Sequence, residues 1–402
     1  MADNKDKKVL NVPALRFPEF IKSWECSILE KLSKKIGDGI HSTPSYDDNG
    51  TFYFINGNNL NGGKIVITSS TKRVSEKEAY KNNAENLEAN SILMSINGTI
   101  GNVALYHNEP IMLGKSACYI NSKDNIDKNY LFYYLQYPKT QLYFEAELTG
   151  TTIKNLSLQS IRKTKIYIPT IEEQHKISRF LQKIDERIST QNKIIEKLQS
   201  LIKGLSQQLL SSENDWILYR LDDLAQIKSG YSGTQVSYQT PYKVSRIETI
   251  SKHCIDIQRI GYVECIPESY RLNVGNILFS NINSIQYIGN TAYLDKDYGL
   301  YHGMNLLRII PNTTIVRPRF LHLLLCTDWA INHFQTICNK AVSQASINQT
   351  ALGKSRFPIP PMSVQQQICS MFELTERKLD NEQEYISCLQ QQKRYLLQKM
   401  FI

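Results

Sequence analysis

Apolar residues recur at alternating steps of four and three along residues 177–209. This sustained period of 3.5 residues predicts a long helix, and its narrow seam favours packing against another helix over packing on a broad sheet. An ordinary amphipathic surface helix is the alternative that this stretch alone leaves open. Nine of the ten seam positions are apolar, all except Gln191. The ten positions are Ile177, Leu181, Ile184, Ile188, Gln191, Ile195, Leu198, Ile202, Leu205 and Leu209.

A second stretch with the same spacing begins 191 residues later and covers residues 368–400. Two matching helices in one chain favour an intramolecular coiled coil. A whole globular segment separates them, so either orientation is possible; we prefer the antiparallel one, which predicts a dumbbell with a pseudo-twofold axis. Seven of the ten positions are apolar. The ten positions are Ile368, Phe372, Thr375, Leu379, Glu382, Ile386, Leu389, Lys393, Leu396 and Met400.

Further echoes indicate that the chain holds two copies of one unit. Segment 166–177 (IYIPTIEEQHKI) returns as segment 357–368 (FPIPPMSVQQQI), at an offset of 191 residues. Echoes in the same order at nearly the same spacing predict a tandem repeat. The smaller echoes are Trp24 with Trp216, and residues 100–102 (IGN) with residues 288–290 (IGN).

Each copy contains strand-like runs, then a short apolar helix, then its long heptad helix. The composition predicts strands at 50–55, 91–96 and 276–280, and helices near 130–135 and 319–325. The predicted fold class is α+β, with two similar α/β domains joined by two long helices in an antiparallel coiled coil, as a pseudo-twofold tandem repeat. The predicted boundaries are 1–166 for the first domain, 167–211 for the first long helix, 212–357 for the second domain and 358–402 for the second long helix.

The composition is that of a globular protein with more than one domain. The chain has 402 residues, of which 41% are hydrophobic. No apolar run reaches the roughly 20 residues of a membrane helix, and the charged start lacks a signal-peptide core, so we expect a cytoplasmic protein. The eight cysteines lack the CxxC spacing of zinc sites. A net charge of +9 is compatible with a polyanionic partner but is weak evidence by itself.

We call the two similar predicted domains the heads, and the long helices form the spacer between them. Two similar heads on a spacer suit a target with two recognition parts, such as duplex DNA. The segments that carry a family pattern are 11–20 (NVPALRFPEF), 37–44 (GDGIHSTP), 150–156 (GTTIKNL) and the helix-opening segments with Pro169 and Gln174 and with Pro360 and Gln365. In these segments the chain resembles the specificity (S) subunits of type I restriction–modification systems, and the resemblance covers essentially its full length. The second head departs from the first, because residues 228–234 (KSGYSGT) stand where the first head has its HSTP loop.

That resemblance implies a non-catalytic subunit that reads a bipartite site in double-stranded DNA, with one half-site per target-recognition domain. The helices would act as a ruler, and two modification subunits would dock on their outward faces. Those subunits would supply S-adenosylmethionine and adenine-N6 methylation, and restriction subunits would add translocation and cleavage that use ATP and Mg. It implies no cofactor or metal bound by this chain, no membrane partner, and a role in host defence.

The residues themselves offer no catalytic constellation, and two alternatives come from other functional classes. A free-standing methyltransferase or nuclease needs a cofactor loop or a carboxylate cluster, and segment 359–362 (IPPM) lacks the amide and the aromatic ring of a methyltransferase tetrad. Segments 114–116 and 353–355, both GKS, end like phosphate loops but lack the leading glycine. The other alternative is an architectural coiled-coil scaffold whose heads bind proteins.

Polar loops that combine Lys or Arg with Ser, Thr, Asn, Gln and Tyr are the candidate DNA contacts. Basic side chains supply affinity for phosphates, and amide and guanidinium groups read base edges. In the first head the candidates are Lys34, Lys35, His41, Ser42, Thr43, Tyr46, Asn97, Thr99, Thr151, Thr152 and Lys154. In the second head they are Lys228, Tyr231, Ser232, Thr234, Gln235, Lys243, Arg246, Asn283, Gln344, Ser346 and Asn348.

Overall fold

The structure is a computed structural model that describes residues 11–82, 84–150, 154–211, 215–251, 253–340 and 344–402. Its residues separate into two units, and each long helix contributes one part to either unit. The first unit comprises the chain up to Asn192 together with Glu384–Ile402, and the second comprises Lys193–Gln383.

The first unit combines short strands with helices, including parts of both long helices. Its strands are β1 (Glu25–Ile28), β2 (Ser33–Asp38), β3 (Phe52–Ile55), β4 (Leu60–Asn61), β5 (Lys64–Ile65), β6 (Arg73–Val74), β7 (Ser91–Ser95), β8 (Val103–Leu105), β9 (Ile111–Leu113), β10 (Ala117–Ser122) and β11 (Lys165–Ile168). Its helices are α1 (Leu29–Leu32), α2 (Glu76–Lys81), α3 (Lys128–Leu135), α4 (Pro138–Ala146), α5 (Leu158–Arg162) and the start of α6 (Ile171–Leu209).

The second unit has a similar, though not identical, order of elements. Its strands are β12 (Ile217–Arg220), β13 (Ala225–Ser229), β14 (Tyr242–Val244), β15 (Gly261–Val263), β16 (Ile277–Ser280), β17 (Ile282–Asn283), β18 (Thr291–Tyr293), β19 (Leu300–Tyr301), β20 (Leu306–Pro311), β21 (Asn339–Lys340), β22 (Ala345–Ser346) and β23 (Arg356–Ile359). Its helices are α7 (Leu221–Leu224), α8 (Pro318–Leu325), α9 (Asp328–Ile337), α10 (Gln349–Gly353) and the start of α11 (Met362–Met400).

The two units share one sheet topology. The antiparallel order β2-β10-β7-β8 in the first unit corresponds to β13-β20-β16-β18 in the second. In the sheets β6-β3-β9 and β15-β14-β19, the middle strand has one antiparallel and one parallel neighbour. Likewise β1 pairs with β11, and β12 pairs with β23. The predicted tandem repeat of α+β units is confirmed.

The central strands β7 and β16 are buried on both faces, which is why their sequences are apolar runs without alternation. In β7, Ile92 and Met94 belong to the large core around Trp24, whereas Leu93 belongs to a second cluster on the other face. In β16 the side chain of Leu278 likewise faces a cluster separate from that of its neighbours. The strands predicted from these runs are confirmed.

The long helices pack antiparallel within each unit, as predicted. In the first unit the start of α6 shares a core with the end of α11, and Lys393 Nζ lies 2.7 Å from Asp185 Oδ1. In the second unit the end of α6 shares a core with the start of α11, through residues such as Leu209 and Phe372. All twenty predicted seam positions are buried or half-buried. The seam prediction is therefore confirmed, including its polar positions.

An aromatic side chain holds the end of a long helix in each unit. The Tyr134 hydroxyl donates to the carbonyl of Ile402 at 3.0 Å, and Trp329 Nε1 donates to the carbonyl of Leu210 at 2.7 Å. Leu210 and Phe401, which are 191 residues apart, are both buried. Each helix end is therefore held by an aromatic donor, although the two donors lie on non-equivalent helices, α3 and α9.

A buried glutamine explains the Pro…Gln part of the repeated motif. Gln174 accepts from the backbone N–H of Asp127 at 3.0 Å and donates to the carbonyl of Pro169 at 3.0 Å. Its counterpart Gln365 accepts from the N–H of Arg317 at 2.7 Å and donates to two carbonyls, including that of Pro360. Each glutamine thus ties the start of a long helix to the start of α3 or α8.

Replacing Gln365 with leucine should lower the free energy of unfolding by about 2 kcal/mol, because the N–H of Arg317 and two carbonyls lose a buried partner. Urea denaturation of the full chain measures this. Gln366→Leu is the matched control, since Gln366 is exposed and its amide donates only to Ser370. Equal destabilisation by the two variants would show that the buried bonds do not matter.

A buried ion pair fixes the segment before β1 in the first unit. Glu173 is 1% exposed, and its carboxylate accepts two bonds from Arg16, at 2.7 and 2.8 Å, and one from Trp24 Nε1 at 3.3 Å. The residue 191 positions later is Val364, a half-buried apolar side chain in the second core. The two units therefore solve the same packing position with different chemistry.

In the described part of the chain, no helix has an apolar stretch of the length and hydropathy that crossing a bilayer requires.

Candidate nucleic-acid interface

One end of the four-stranded sheet in the first unit gathers most of the predicted loops. The register pairs Asp38 with Cys118 and Ser95 with Ala117, so β2 and β7 end beside the start of β10. We call the set of segments at this end the first loop edge. Its segments are 39–43, 56–59, 96–99, 114–116 and 154–156.

Hydrogen bonds join these segments to each other. Ser116 Oγ accepts from the N–H of Gly57 at 2.8 Å, and Thr99 Oγ1 donates to the carbonyl of Gly57 at 3.2 Å. Asn97 Nδ2 donates to the carbonyl of Lys115 at 3.4 Å, and its backbone pairs with Asn155. The candidates Asn97, Thr99 and the exposed Lys154 are thereby brought together.

Lys115 is an exposed cation on the first loop edge that the sequence analysis did not select. It lies in the turn between β9 and β10, flanked by Gly114 and Ser116. Its sequence, GKS, suggests only a phosphate loop that lacks the leading glycine. The signal that could have found it is the position of the turn between two buried strands, which places its tip at the sheet end.

Tyr46 lines a polar cleft of about 340 Å³ beside the first loop edge. Its ring meets the ring of Phe54 edge-on at 5.8 Å, and Lys72 Nζ lies 5.8 Å from its centre. The amides of Asn56 and Asn58 also line the cleft. An aromatic ring, a cation and amides are groups that contact nucleotides, so these neighbours of Tyr46 join the candidate set.

Lys34 and Lys35 lie at the opposite end of β2 from the first loop edge. Lys34 Nζ is 2.7 Å from Asp124, and this hydrogen bond raises the pKa of the lysine. Lys35 Nζ donates to Asn86 Oδ1 at 2.5 Å. The structure therefore does not bring these two candidates together with the loops.

His41 is an exposed side chain on the first loop edge, and its Nε2 lies 2.8 Å from Asp38 Oδ2. The neighbouring Ser42 and Thr43 are also exposed. The aspartate gives His41 a local partner, which orients the ring at the rim of the sheet. Two further candidates lie outside the described residues, Thr151 and Thr152.

The second unit gathers its loops in the same way. Ser229 and Ser280, at the ends of β13 and β16, pair with Leu307 and Leu306 at the start of β20. The backbone N–H of Tyr231 donates to the carbonyl of His302 at 2.9 Å, as the segment after β2 bonds to the turn before β10 in the first unit. We call these segments the second loop edge, and they are 230–235, 245–246, 281–283, 302–305 and 344–348.

Most second-head candidates are at this edge, and several have local partners. Arg246 lies 3.5 Å from Glu248, and Asn283 Nδ2 donates to Ser280 Oγ at 3.2 Å. Asn348 caps α10 by accepting from the N–H of Ala351. Lys228 and Lys243 lie instead on strands β13 and β14. The remaining candidates on the edge are Tyr231 and Gln235, both half-buried, Ser346, and the exposed Ser232, Thr234 and Gln344.

The chemistry of both edges is that of polar recognition. Exposed lysines and arginines can neutralise phosphates, and Asn, Gln, Ser and Thr side chains can bond to base edges. Across the residues that the structure describes, no group of three or more His, Cys, Asp or Glu side chains is placed to hold a metal ion.

Comparison with known proteins gives matches over both units. The family model for the type I restriction modification DNA specificity domain matches residues 22–200 and again residues 213–391. The chain is 38% identical to the MjaX specificity subunit of Methanocaldococcus jannaschii over 193 residues, which is 46% of this chain and 45% of that relative, so the alignment spans under half of the relative's length.

A longer but weaker alignment joins the chain to the type I restriction enzyme MjaVIII specificity subunit of the same organism, with 23% identity over 74% of each protein. Among solved structures, the S subunit of a type I restriction–modification system from M. genitalium has a TM-score of 0.59 at 17% identity. It covers 97% of this chain and 99% of its own. That structural likeness supports the fold.

Proposed function

This chain belongs to the type I restriction–modification DNA specificity family, and from that premise we propose that it recognises a bipartite site in duplex DNA, with one half-site per unit. The observation that carries the proposal is the pair of loop edges. The two edges are the corresponding ends of the corresponding four-stranded sheets in the two units. Each edge presents polar and basic side chains on segments that are held by hydrogen bonds.

The side chains on the two edges differ although their frames match. Where the first unit has Lys115 and Ser116 before β10, the second has Met304 and Asn305 before β20. Individual side chains read base edges, whereas the shared backbone arrangement determines only the positions of those side chains. Two edges with different side chains should therefore read different half-sites.

The helices offer matching surfaces for partners. Phe180 and Met371 are exposed and 191 residues apart, and so are Ile194 and Tyr385. Exposed apolar side chains at repeated heptad positions mark surfaces that favour a protein partner. Either unit presents one member of each pair, which supports docking of two modification subunits, one on each unit.

In this proposal the chain itself does no chemistry and works in the cytoplasm. The modification subunits would bring S-adenosylmethionine and methylate adenine at N6, and restriction subunits, where present, would use ATP and Mg. The alternative is a scaffold whose heads bind proteins. It predicts that removing cations from the loop edges leaves DNA affinity unchanged.

Replacing Lys115 or Lys154 with alanine should weaken DNA binding several-fold. It should also lower the magnitude of the slope of log affinity against log salt by about 0.9, because binding that makes one phosphate contact fewer releases fewer counterions from the DNA. Fluorescence anisotropy with a duplex that contains the site measures both quantities. The protein is the full chain in complex with its modification subunit.

Lys165→Ala is the matched control, because Lys165 is an exposed lysine of the first unit on β11, away from the first loop edge. Its affinity and salt slope should equal those of the unsubstituted chain. Unchanged DNA binding in the Lys115 and Lys154 variants would favour the scaffold alternative.

A further inference from the structure

The second unit places two cations directly opposite each other inside its main sheet. Lys228 on β13 pairs in register with Arg308 on β20. Opposite residues of antiparallel strands project from the same face with their Cβ atoms about 5 Å apart, and like charges there repel. Such a pair is unfavourable unless an anion lies between or beside the two cations.

Arg308 is 5% exposed, and its hydrogen bonds leave its charge uncompensated. Its Nε donates to Asn276 Oδ1 at 2.7 Å, and one terminal nitrogen donates to the carbonyl of Ser269 at 3.3 Å. Both partners are neutral. Burial lowers the pKa of the guanidinium, and no carboxylate among the described residues opposes the shift.

Both cations line one cleft of about 380 Å³. No Asp or Glu is among the described residues that line it, and neither cation has a carboxylate within ion-pair distance in the described part of the chain. Gln349 bonds through its Nε2 to the carbonyl of Ile227 at the wall of the cleft. The other lining residues are Ser229, Ser269, Tyr270 and His302.

The first unit fills the same place without charge. There the cross-strand pair is Gly37 with Tyr119, and a Cβ on Gly37 would lie 2.5 Å from the Tyr119 hydroxyl oxygen. The tyrosine ring therefore occupies the space that the cleft leaves open in the second unit. The repeat itself does not require cations at this position, which indicates that the pair serves the second unit alone.

We propose that this cleft binds a phosphate group, held by the Arg308 guanidinium and the Lys228 ammonium. Arginine bonds phosphate oxygens through two parallel N–H groups, and lysine adds a point charge. The cleft adjoins the second loop edge, because the ring of Tyr270 on its wall lies 5.3 Å from the ring of Tyr231. On the proposed function, from which this assignment follows, the phosphate belongs to the DNA backbone and fixes the register of the second half-site.

The first experiment uses inorganic phosphate as the probe. Thermal unfolding of the full chain is measured in rising phosphate, with chloride as the reference salt at equal ionic strength. A ligand that binds the folded state alone raises the unfolding midpoint with its concentration. The phosphate-dependent rise in the unfolding midpoint should be lost in Arg308→Gln and at least halved in Lys228→Gln. Lys228 is exposed, so its substitution should leave the protein folded and the comparison valid.

Lys296→Gln is the matched control, because Lys296 is an exposed lysine of the second unit that does not line the cleft. It should respond to phosphate as the unsubstituted chain does. Equal responses to phosphate in all four proteins, together with unchanged DNA salt slopes, would overturn the proposal.

The second experiment identifies the source of the phosphate. For the complex with its modification subunit, the slope of log DNA affinity against log salt should fall by about 0.9 in Lys228→Gln and stay unchanged in Lys296→Gln. A phosphate response with an unchanged DNA slope would support the cleft as a site for a free phosphate-bearing molecule. Failure of the unsubstituted complex to bind DNA would instead contradict the proposed function. The phosphate measurement would still test whether the cleft binds phosphate.

Discussion

Replacing Glu173 with valine should lower the free energy of unfolding by about 3 kcal/mol, because the substitution leaves a largely buried arginine without its counter-ion. Arg16 is 13% exposed, and both of its carboxylate bonds go to Glu173. Trp24 Nε1 loses its acceptor at the same time. Urea denaturation of the full chain measures the loss as a lower midpoint at an unchanged slope.

The second unit supplies the template for rescue. Since Val364 occupies the equivalent position there, the double variant Arg16→Leu with Glu173→Val should recover most of the loss, as hydrophobic replacement of a buried pair often does. Glu172→Val is the matched control at an exposed neighbour, and it should cost well under 1 kcal/mol. Additive costs for the two single variants would contradict the coupling between Arg16 and Glu173.

Exchanging residues 211–356 for the corresponding segment of another specificity subunit should change one half of the methylated sequence completely and leave the other half as it was. The exchange replaces the second loop edge but keeps α6 and α11, so the helix seam and the Gln174 bonds of the first unit remain. Sequencing of N6-methyladenine in cells that express the hybrid with the modification subunit measures the outcome.

The reciprocal exchange of the first domain, residues 1–166, is the control, and it should change the other half alone. A hybrid that folds and assembles yet alters both halves would contradict independent reading by the two units. A hybrid that alters neither half would place recognition outside the loop edges.

The architecture could be predicted from the sequence because periodicity and repetition are properties of the chain itself. The seam with its period of 3.5 residues requires a partner helix, and two seams 191 residues apart supply one. Even the polar seam positions Thr375, Glu382 and Lys393 were placed correctly, because the heptad frame set their positions whatever their chemistry. The domain boundaries drawn from these patterns stay predictions.

The details of the site depend on contacts across the sequence, which a pattern does not reveal. Gln174 was visible as a repeated letter, but its bond to the N–H of Asp127 joins two segments that only folding brings together. The pairing of Lys228 with Arg308 depends on strand register, and the selection of Lys228 as a loop residue missed it. Lys34 and Lys35 were selected by charge, although they lie at the far end of β2.

The most direct test of recognition by two units is a genome-wide map of N6-methyladenine in cells that express this chain with its modification subunit. If each unit reads one half-site, the map should show a motif in two parts, separated by a fixed gap of unspecified bases, that is present only when both genes are expressed. A continuous motif, the same motif without this chain, or no motif despite a stable complex would contradict it.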